Sequence, residues 1–514
     1  NHTLSGLGTL NVAADTSVTA NTGFTATGNL TLNGTLGIGN NDTVTFAALS
    51  GAAGANSQLT FGVGAASAGQ LVLTGANDFS GTDIALTLAS DAGYIAGGTT
   101  YTLIDSNGVT TNGTLITTGT GVYSFALDRI NSNNDVRLTI NRTALNQIAG
   151  GTEGEGVGGV LEQLQNNGTT ELDQIQSELG GLGTGGAVSN ALQTLLPGTT
   201  GQVTGTTIDT QNTLFNEVNN RLASLRTGVA AGDNAAGRHM WLKGFGQNAE
   251  HDGNNGTAGY DSTTMGVALG FDKDTAQGYR GVSFSYAESE VESAAANNAD
   301  TDIGSYQVAI YGSHNRTDNT FLNWQGAVAY NDIESQRTIN VGGFDRSVDG
   351  STHSWQLGAK VEIGKDFKHD ANTVLTPVAG LQYGYIKTAD YTETGAGGAS
   401  LRVEQDDMHI LQASAGARAR WQHKTAGGTT LVPTLSGMLT YNLGDTKTDV
   451  TSQFTGGGAS FNTNGVELNR LGVNLGGGLT WQLTNGVDVS VNYDADLRAD
   501  YTSHNGFVKA RWRW

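Results

Sequence analysis

The chain of 514 residues has no cysteine, three prolines and few cations. The absence of cysteine excludes a disulfide scaffold and any thiolate nucleophile or metal ligand, and it suits a chain that crosses an oxidising compartment unfolded. Lysine and arginine number 26 against 47 acidic residues, and the net charge of −21 argues against nucleic acid as a partner, because phosphate binding needs clustered cations. No run approaches the roughly 18 apolar residues of a membrane-spanning helix, which excludes a helical membrane protein. No signal peptide is evident at Asn1, so we expect a mature or truncated product.

The second half of the chain contains a sustained alternation of apolar and polar residues. All seven Trp and twelve of the fifteen Tyr follow residue 237, and these rings favour membrane interfaces. The C-terminal segment shows the pattern, with an apolar face of Val508, Ala510, Trp512 and Trp514 and a basic face of Lys509, Arg511 and Arg513. We count twelve such segments over residues 238–514, an even number as bacterial barrels require. The pattern predicts a transmembrane antiparallel 12-stranded β-barrel, because its lipid-facing and lumen-facing residues must alternate.

Residues 1–142 have a different character. Short bursts of Leu, Val and Thr are broken by Gly and Asn, as at residues 28–36 and 70–77. Strands of three to five residues with such turns are typical of a parallel β-helix, in which each coil buries its apolar residues against the next. The alternative, an antiparallel sandwich, would need longer strands than most of this segment offers. The predicted fold class is therefore all-β, with a parallel β-helix segment before the barrel.

Residues 143–237 carry helical periodicity instead. Three short apolar patterns are separated by glycine-rich stretches such as 154–159 and 181–186. Neither stretch follows a strand in a βαβ unit, so both are typical of flexible linker rather than of a nucleotide loop. A longer apolar stripe comprises Leu214, Phe215, Val218, Leu222 and Leu225. The segment predicts a helical linker with its main helix at about residues 207–226.

Several local motifs resemble those of one family, the autotransporters of the type Va secretion class. Residues 70–82 resemble the family's passenger repeat, and residues 101–104 with 136–140 resemble its autochaperone region. Residues 241–246 and 266–272 are similar to its first two barrel strands. The C-terminal strand, with Phe507, Trp512 and Trp514, is similar to the family's signal for outer-membrane assembly. The resemblance covers most of the chain.

The resemblance implies a fold, a location and a function. Residues 1–142 would be the C-terminal passenger with its autochaperone, and the helix at 207–226 would lie in the lumen of the barrel formed by 238–514. The barrel would insert into the lipid of the bacterial outer membrane with the help of the barrel assembly machinery and periplasmic chaperones. It would then secrete and anchor its own passenger at the cell surface. No cofactor and no metal ion is implied.

The activity of the passenger is left open by these residues. We favour an adhesin or surface scaffold that meets host or cell-surface ligands, because no catalytic motif is evident. One alternative is an enzymatic passenger that lies upstream of Asn1. A general porin is the other alternative, but it would not need residues 1–237.

Residues 217–220 resemble the site at which one autotransporter subgroup cuts itself inside the barrel. By that resemblance Asn219 would be the nucleophile and the Asn219–Asn220 bond would be cut, with Glu362 as an acidic residue and Arg511 as a basic one. Asn323 stands where the subgroup has a second acid. A positioned acid or base contributes about 10²–10⁴-fold. We therefore favour the plainer interpretation, in which Asn219 and Asn220 are polar residues of a lumen helix and the passenger stays attached.

Overall fold

The structure is a computed structural model that describes residues 7–512 except 51–52, 55, 91, 112, 118, 199–200, 227–237, 255, 371 and 484–486. Trp514 of the predicted assembly signal therefore lies outside the described residues. The described part contains 31 strands and five α-helices. Strands before the helices are β1 Leu10–Val12, β2 Ser17–Ala20, β3 Phe24–Thr25, β4 Leu30–Leu32, β5 Thr35–Ile38, β6 Thr43–Phe46, β7 Gln58–Val63, β8 Gln70–Leu73, β9 Asp83–Leu88, β10 Thr99–Ser106, β11 Thr114–Leu115, β12 Tyr123–Ile130 and β13 Asp135–Arg142. The helices are α1 Leu145–Ile148, α2 Gly154–Leu164, α3 Thr170–Gly181, α4 Gly185–Gln193 and α5 Gln202–Arg226.

The remaining strands build the second half of the chain. The long ones are β14 Arg238–His251, β15 Tyr260–Thr275, β16 Gly278–Ser293, β17 Asp300–Asn315, β18 Thr320–Val341, β19 Phe344–Lys365, β21 Thr373–Thr388, β24 Met408–Trp421, β26 Thr430–Asn442, β29 Leu471–Gln482, β30 Val487–Arg498 and β31 Tyr501–Trp512. The short ones are β20 Phe367–Lys368, β22 Tyr391–Thr392, β23 Leu401–Gln405, β25 His423–Lys424, β27 Asp449–Phe454 and β28 Phe461–Asn464, and a 3₁₀ turn spans Gly397–Ala399.

The strands before the helices stack in parallel, as a β-helix requires. Strands β2, β5, β7, β9 and β11 form one sheet, and β3, β6, β8 and β10 form another. The register aligns apolar residues into ladders, of which one runs through Leu36, Leu59 and Ile84. All three side chains are fully buried, so each coil covers the apolar surface of its neighbour.

The stack ends in an antiparallel edge. β13 pairs antiparallel with β10 and with β12. The two segments that resemble the autochaperone lie in β10 and β13, where Tyr101 faces Leu138 and Ile104 faces Val136. The structure thus places them side by side, and their role in folding stays a prediction.

Helices α1–α4 connect the β-helix to the barrel, and part of this segment was predicted wrongly. The glycine-rich stretch 154–159 is not a flexible linker, because it forms most of α2. The added Cβ of an alanine at Gly158 would lie 3.0 Å from the backbone of Leu145. Glycine weakens a helix by about 0.5–1 kcal/mol, but here it lets α2 approach α1 closely. Packing against neighbouring elements therefore decides the helix.

The twelve long strands of the described chain close into an antiparallel barrel, and this confirms the predicted fold class. Each pairs with its neighbour along the chain, β19 pairs with β21, and β14 pairs with β31 to close the ring. At one end, where the chain terminus of β31 lies, the described connections include short turns at 276–277 and 316–319. At the other, which we call the long-hairpin end, β18 and β19 project and β22, β23, β27 and β28 form a separate sheet.

The outer face of the barrel is apolar, as the alternation predicted. Along β17, Tyr306, Val308 and Ile310 are exposed, whereas Ala309 and Tyr311 point inward and are buried. The same outward face carries Met265, Val267, Phe271, Leu357, Val361, Ile363, Leu435 and Leu439. An apolar surface that surrounds a closed barrel is the surface that a membrane covers.

The barrel lumen as the candidate functional site

Helix α5 runs through the lumen. It spans 25 residues, or about 37 Å at 1.5 Å per residue, enough to cross the roughly 30 Å hydrocarbon layer. It begins at Gln202, five residues before the predicted start. The prediction missed the first turns because they are rich in threonine and lack the apolar stripe that marks the rest of the helix. Those threonines are nevertheless buried, and the barrel wall supplies the partners that the local sequence does not indicate.

The predicted apolar stripe of α5 packs on one wall of the barrel. Leu214, Val218, Leu222 and Leu225 form a cluster with inward-facing residues of the wall, namely Trp241, Phe245, Ala268, Ala287, Tyr311 and Phe507. Phe215 contacts a different wall, where it packs against Ala309 and Ala327. The five stripe residues are all buried. Their packing fixes which face of the helix each strand meets.

A buried ion pair joins the helix to β15. The Nε and Nη2 atoms of Arg221 donate to the two carboxylate oxygens of Asp272, at 3.0 and 2.9 Å. The Tyr311 hydroxyl donates to the same carboxylate at 3.1 Å, and it accepts from Trp241 Nε1 at 2.9 Å. The two charged side chains are 3% and 0% exposed. A charge pair this deeply buried is tolerated only when its hydrogen bonds are complete.

Two further ion pairs hold α5 to the wall. Glu217 pairs with Lys243 of β14, and the Lys243 ammonium lies 3.8 Å from the centre of the Phe507 ring. Arg226, at the other end of the helix, donates to Asp366 at 2.9 Å. These contacts together fix the rotation and the depth of the helix in the lumen.

Three residues of the predicted cleavage site come together. Asn219 Nδ2 donates to Glu362 Oε2 at 3.2 Å, and Asn323 Nδ2 donates to Glu362 Oε1 at 3.3 Å. Asn220 does not join them, because its Nδ2 donates instead to Glu217 at 3.3 Å. The roles assigned to these residues by resemblance stay predictions.

Sequence reasoning missed two members of this site, Gln325, whose Nε2 donates to Asn219 Oδ1 at 3.2 Å, and Arg418. The two terminal nitrogens of Arg418 each donate to a Glu362 oxygen at 2.7 Å. The arginine alternates with small residues along β24, and that alternation was the signal for a cation aimed into the lumen. Arg511, the predicted basic residue, is paired through its backbone with Asp488, and its side chain lies outside the described residues.

The chemistry open to this cluster follows from its charges. An asparagine amide nitrogen that attacks its own backbone carbonyl must give up a proton, and Glu362 is the acceptor within reach of Asn219. The bidentate contact with Arg418 neutralises that carboxylate and weakens it as a base. Asn323 has no proton-transferring group. The arrangement positions Asn219 but supplies little acid or base.

Two of the three predicted assembly residues, Phe507 and Trp512, belong to β31. Phe507 is buried and faces the lumen, whereas its neighbour Val508 is exposed on the lipid side. Trp512 ends the strand opposite Val487, and its side chain lies outside the described residues.

Among the described residues, no group of three or more His, Cys, Asp or Glu side chains is arranged to hold a metal ion. No helix in the same part of the chain is long and apolar enough to cross a membrane.

These features define the class: a transmembrane β-barrel whose lumen is occupied by a helix that precedes its first strand. Residues 240–494 match the family model "Autotransporter beta-domain". The chain belongs to the autotransporter family, in its type Va class, and its place is the bacterial outer membrane. By the usual arrangement of such barrels, short turns face the periplasm and the long-hairpin end faces the cell exterior.

Curated relatives and solved structures are similar to this chain at low identity. "Outer membrane protein B" of Rickettsia prowazekii (strain Madrid E) is 24% identical over 307 residues, covering 58% of this chain and 19% of that protein. "Extracellular serine protease" of Serratia marcescens is 25% identical over 291 residues, covering 56% and 27%. The translocator domain of the autotransporter NalP from Neisseria meningitidis is matched with a TM-score of 0.43 and 14% identity, covering 60% of this chain and 98% of that one. The chain spans about a fifth of the length of the first curated relatives that it matches.

Proposed function

We propose that the barrel secretes the β-helix of this same chain and keeps it anchored at the cell surface, where it serves as an adhesin or surface scaffold. The observation that carries the proposal is the path of the chain. The β-helix lies at the long-hairpin end, α5 returns through the lumen, and the barrel follows. A segment that was translocated through its own barrel would end in this arrangement.

The proposal includes partners. Membrane lipid would cover the apolar outer face, and the barrel assembly machinery and periplasmic chaperones would deliver the chain. Host or cell-surface ligands would meet the β-helix and whatever precedes it in the whole protein. The relative named as a serine protease supports the alternative of an enzymatic passenger, whose active site would then lie outside these residues.

A protease test on intact cells examines secretion. External protease should cut residues of the β-helix while the barrel stays protected in the membrane. A translocation-blocked control is the chain without its C-terminal tryptophan, which should remain inside. The proposal would be overturned if the β-helix of the wild-type chain were as well protected in intact cells as that of the control, and were cut only after lysis.

Self-cleavage is the second candidate, favoured by the Asn219–Glu362 hydrogen bond. Because the cluster around Asn219 lacks an effective general acid or base, we expect the wild-type chain to stay uncut. Intact mass of the denatured outer-membrane protein should then show one species, and two fragments that meet at Asn219–Asn220 would show self-cleavage. Asn323→Asp should favour cutting by restoring a carboxyl group, and Asn219→Ala in the same background should abolish it.

A further inference from the structure

Six glycines at the long-hairpin end face helices α2 and α3, and we call them the glycine seat. They are Gly342 and Gly343 between β18 and β19, Gly397 and Gly398 in the 3₁₀ turn, and Gly456 and Gly458 between β27 and β28. A Cβ added at Gly458 would lie 2.8 Å from Val160 Cγ1, and one at Gly456 would lie 2.9 Å from Leu172 Cδ1. An added side chain at these positions would force the helix side chains to move, so glycine permits the backbone to approach the helices this closely.

Backbone amides of the glycine seat also donate hydrogen bonds to two glutamate carboxylates of α3. The amide of Gly343 donates to Glu178 Oε2 at 2.9 Å, and the amide of Gly398 donates to Glu171 Oε2 at 3.4 Å. Both glutamates belong to α3, so its two ends are held by two different hairpins. Backbone amides of glycine are accessible donors because no side chain shields them.

On their sides away from the glycine seat, α2 and α3 form hydrogen bonds with the β-helix. Arg142, at the end of β13, donates to both oxygens of Glu162 in α2, at 3.0 and 2.9 Å. The Ser177 hydroxyl of α3 donates to the carbonyl of Ser90 at 2.7 Å. The two helices are therefore clamped between the β-helix and the barrel hairpins.

One apolar core runs through all three parts. Buried residues of the β-helix, of α1–α4 and of the hairpins belong to a single cluster, whose hairpin members include Phe344, Ala399, Leu401, Phe454 and Phe461. This cluster does not pass through α5. The attachment of the β-helix to the barrel thus has a route that is independent of the covalent route through the lumen.

We propose that the glycine seat is a docking surface for residues 1–183 of this chain, sufficient to hold them on the outer membrane without a covalent link to the barrel. The inference rests on the proposed function, because it assumes that the β-helix has reached the cell surface. Its consequence is that a cut between α3 and the barrel, including one at Asn219–Asn220, does not release the β-helix.

The test severs the chain between α3 and α4. Gly183 is exposed, and no heavy atom lies within 4 Å of its added Cβ, so a recognition sequence for a site-specific protease can be inserted there. Intact cells are treated with that protease and sedimented. We expect the fragment 1–183 to sediment with the cells, and to be released by a urea wash that leaves the barrel in the membrane. Its appearance in the supernatant upon cutting, without urea, would overturn the proposal.

A matched pair of variants assigns the retention to the seat. In the chain with the inserted site, Gly398→Leu would place its side chain against Thr169 and should raise the released fraction at least tenfold. Gly244→Leu is the control, because nothing lies within 4 Å of that position, and it should release no more than the parent. Equal release from the two would overturn the assignment.

Two measurements keep these outcomes separate from other failures. The first measurement checks that the barrel is folded, by its heat-modifiable migration in gel electrophoresis. If Gly398→Leu does not fold, the double variant Glu171→Gln with Glu178→Gln replaces it, because it weakens the same contacts without changing the backbone. The same increase in the released fraction is expected of it. If external protease cannot reach the inserted site in intact cells, the proposed secretion fails. If the site is cut and the fragment leaves, secretion stands and the docking inference fails.

Discussion

Replacing Arg221 by methionine tests whether buried ion pairs hold the lumen helix in place. The wild-type guanidinium makes two hydrogen bonds of 3.0 and 2.9 Å to Asp272, and neither side chain is more than 3% exposed. Without Arg221, the Asp272 carboxylate keeps the Tyr311 hydroxyl as a donor but loses its counter-charge. Removing one partner of a buried pair costs about 3–5 kcal/mol. At about 1.4 kcal/mol per tenfold, the population of the displaced helix should rise by roughly two to three and a half orders of magnitude.

The assay is single-channel conductance of the purified protein in planar bilayers, because a displaced helix opens the lumen. Arg221→Met should increase the open probability, and Arg221→Met with Asp272→Asn should recover part of the loss, with a coupling of about 0.5–3 kcal/mol. Lys365→Met is the control, since its 3.7 Å pair with Asp318 is exposed and contributes about 0–1 kcal/mol. Equal open probabilities for Arg221→Met and Lys365→Met would refute the reasoning.

Three other perturbations examine the outer face, the C-terminal strand and the helical segment. Leu381→Arg should cost about 2–4 kcal/mol if the residue faces mid-bilayer lipid, and urea unfolding from lipid vesicles that matches wild type would contradict this. Removal of Trp514 should lower the outer-membrane level of the protein, and an unchanged level would argue against the assembly signal. Burial raises the pKa of Glu153 to about 7, against hydrogen bonds from Thr257 and Ala258 that lower it. Because the pKa of Glu153 in the folded state exceeds the ordinary value of 4.5, the stability that this group contributes is fully present below pH 4.5 and is lost as the pH rises through about 7. The segment α1–α4 should therefore resist proteolysis better at pH 5 than at pH 8, and Glu153→Gln should remove most of that difference if this carboxyl is responsible.

The faces of the barrel strands could be predicted because a strand alternates its side chains whatever surrounds it. Alternation puts the neighbours Val308 and Ala309 on opposite faces, and in the structure Val308 is exposed and Ala309 is buried. The apolar stripe of α5 was predictable for the same kind of reason, since i, i+3 and i+4 residues share a helix face. Local periodicity carries this information in full.

The start of α5 and the bidentate contact of Arg418 with Glu362 could not be predicted from local periodicity. The first turns of α5 contain threonine, whose helix propensity is poor, and the barrel wall stabilises them. Arg418 and Glu362 are 56 positions apart in the chain and lie on different strands. Their meeting depends on how the barrel closes, which no local pattern encodes.

The role of the glycines could not be predicted from the sequence either. In α2 and in the glycine seat, glycines mark close contact between packed elements, whereas the glycine-rich stretch 154–159 predicted a flexible linker. Glycine permits both, and only the neighbouring atoms decide between them. The sequence by itself determined the period-two strands, the lumen helix stripe and the stacked coils, because these follow from spacing along one segment. The tertiary structure alone decided which charges meet in the lumen and where the helices dock, because those contacts join segments that are distant in the chain.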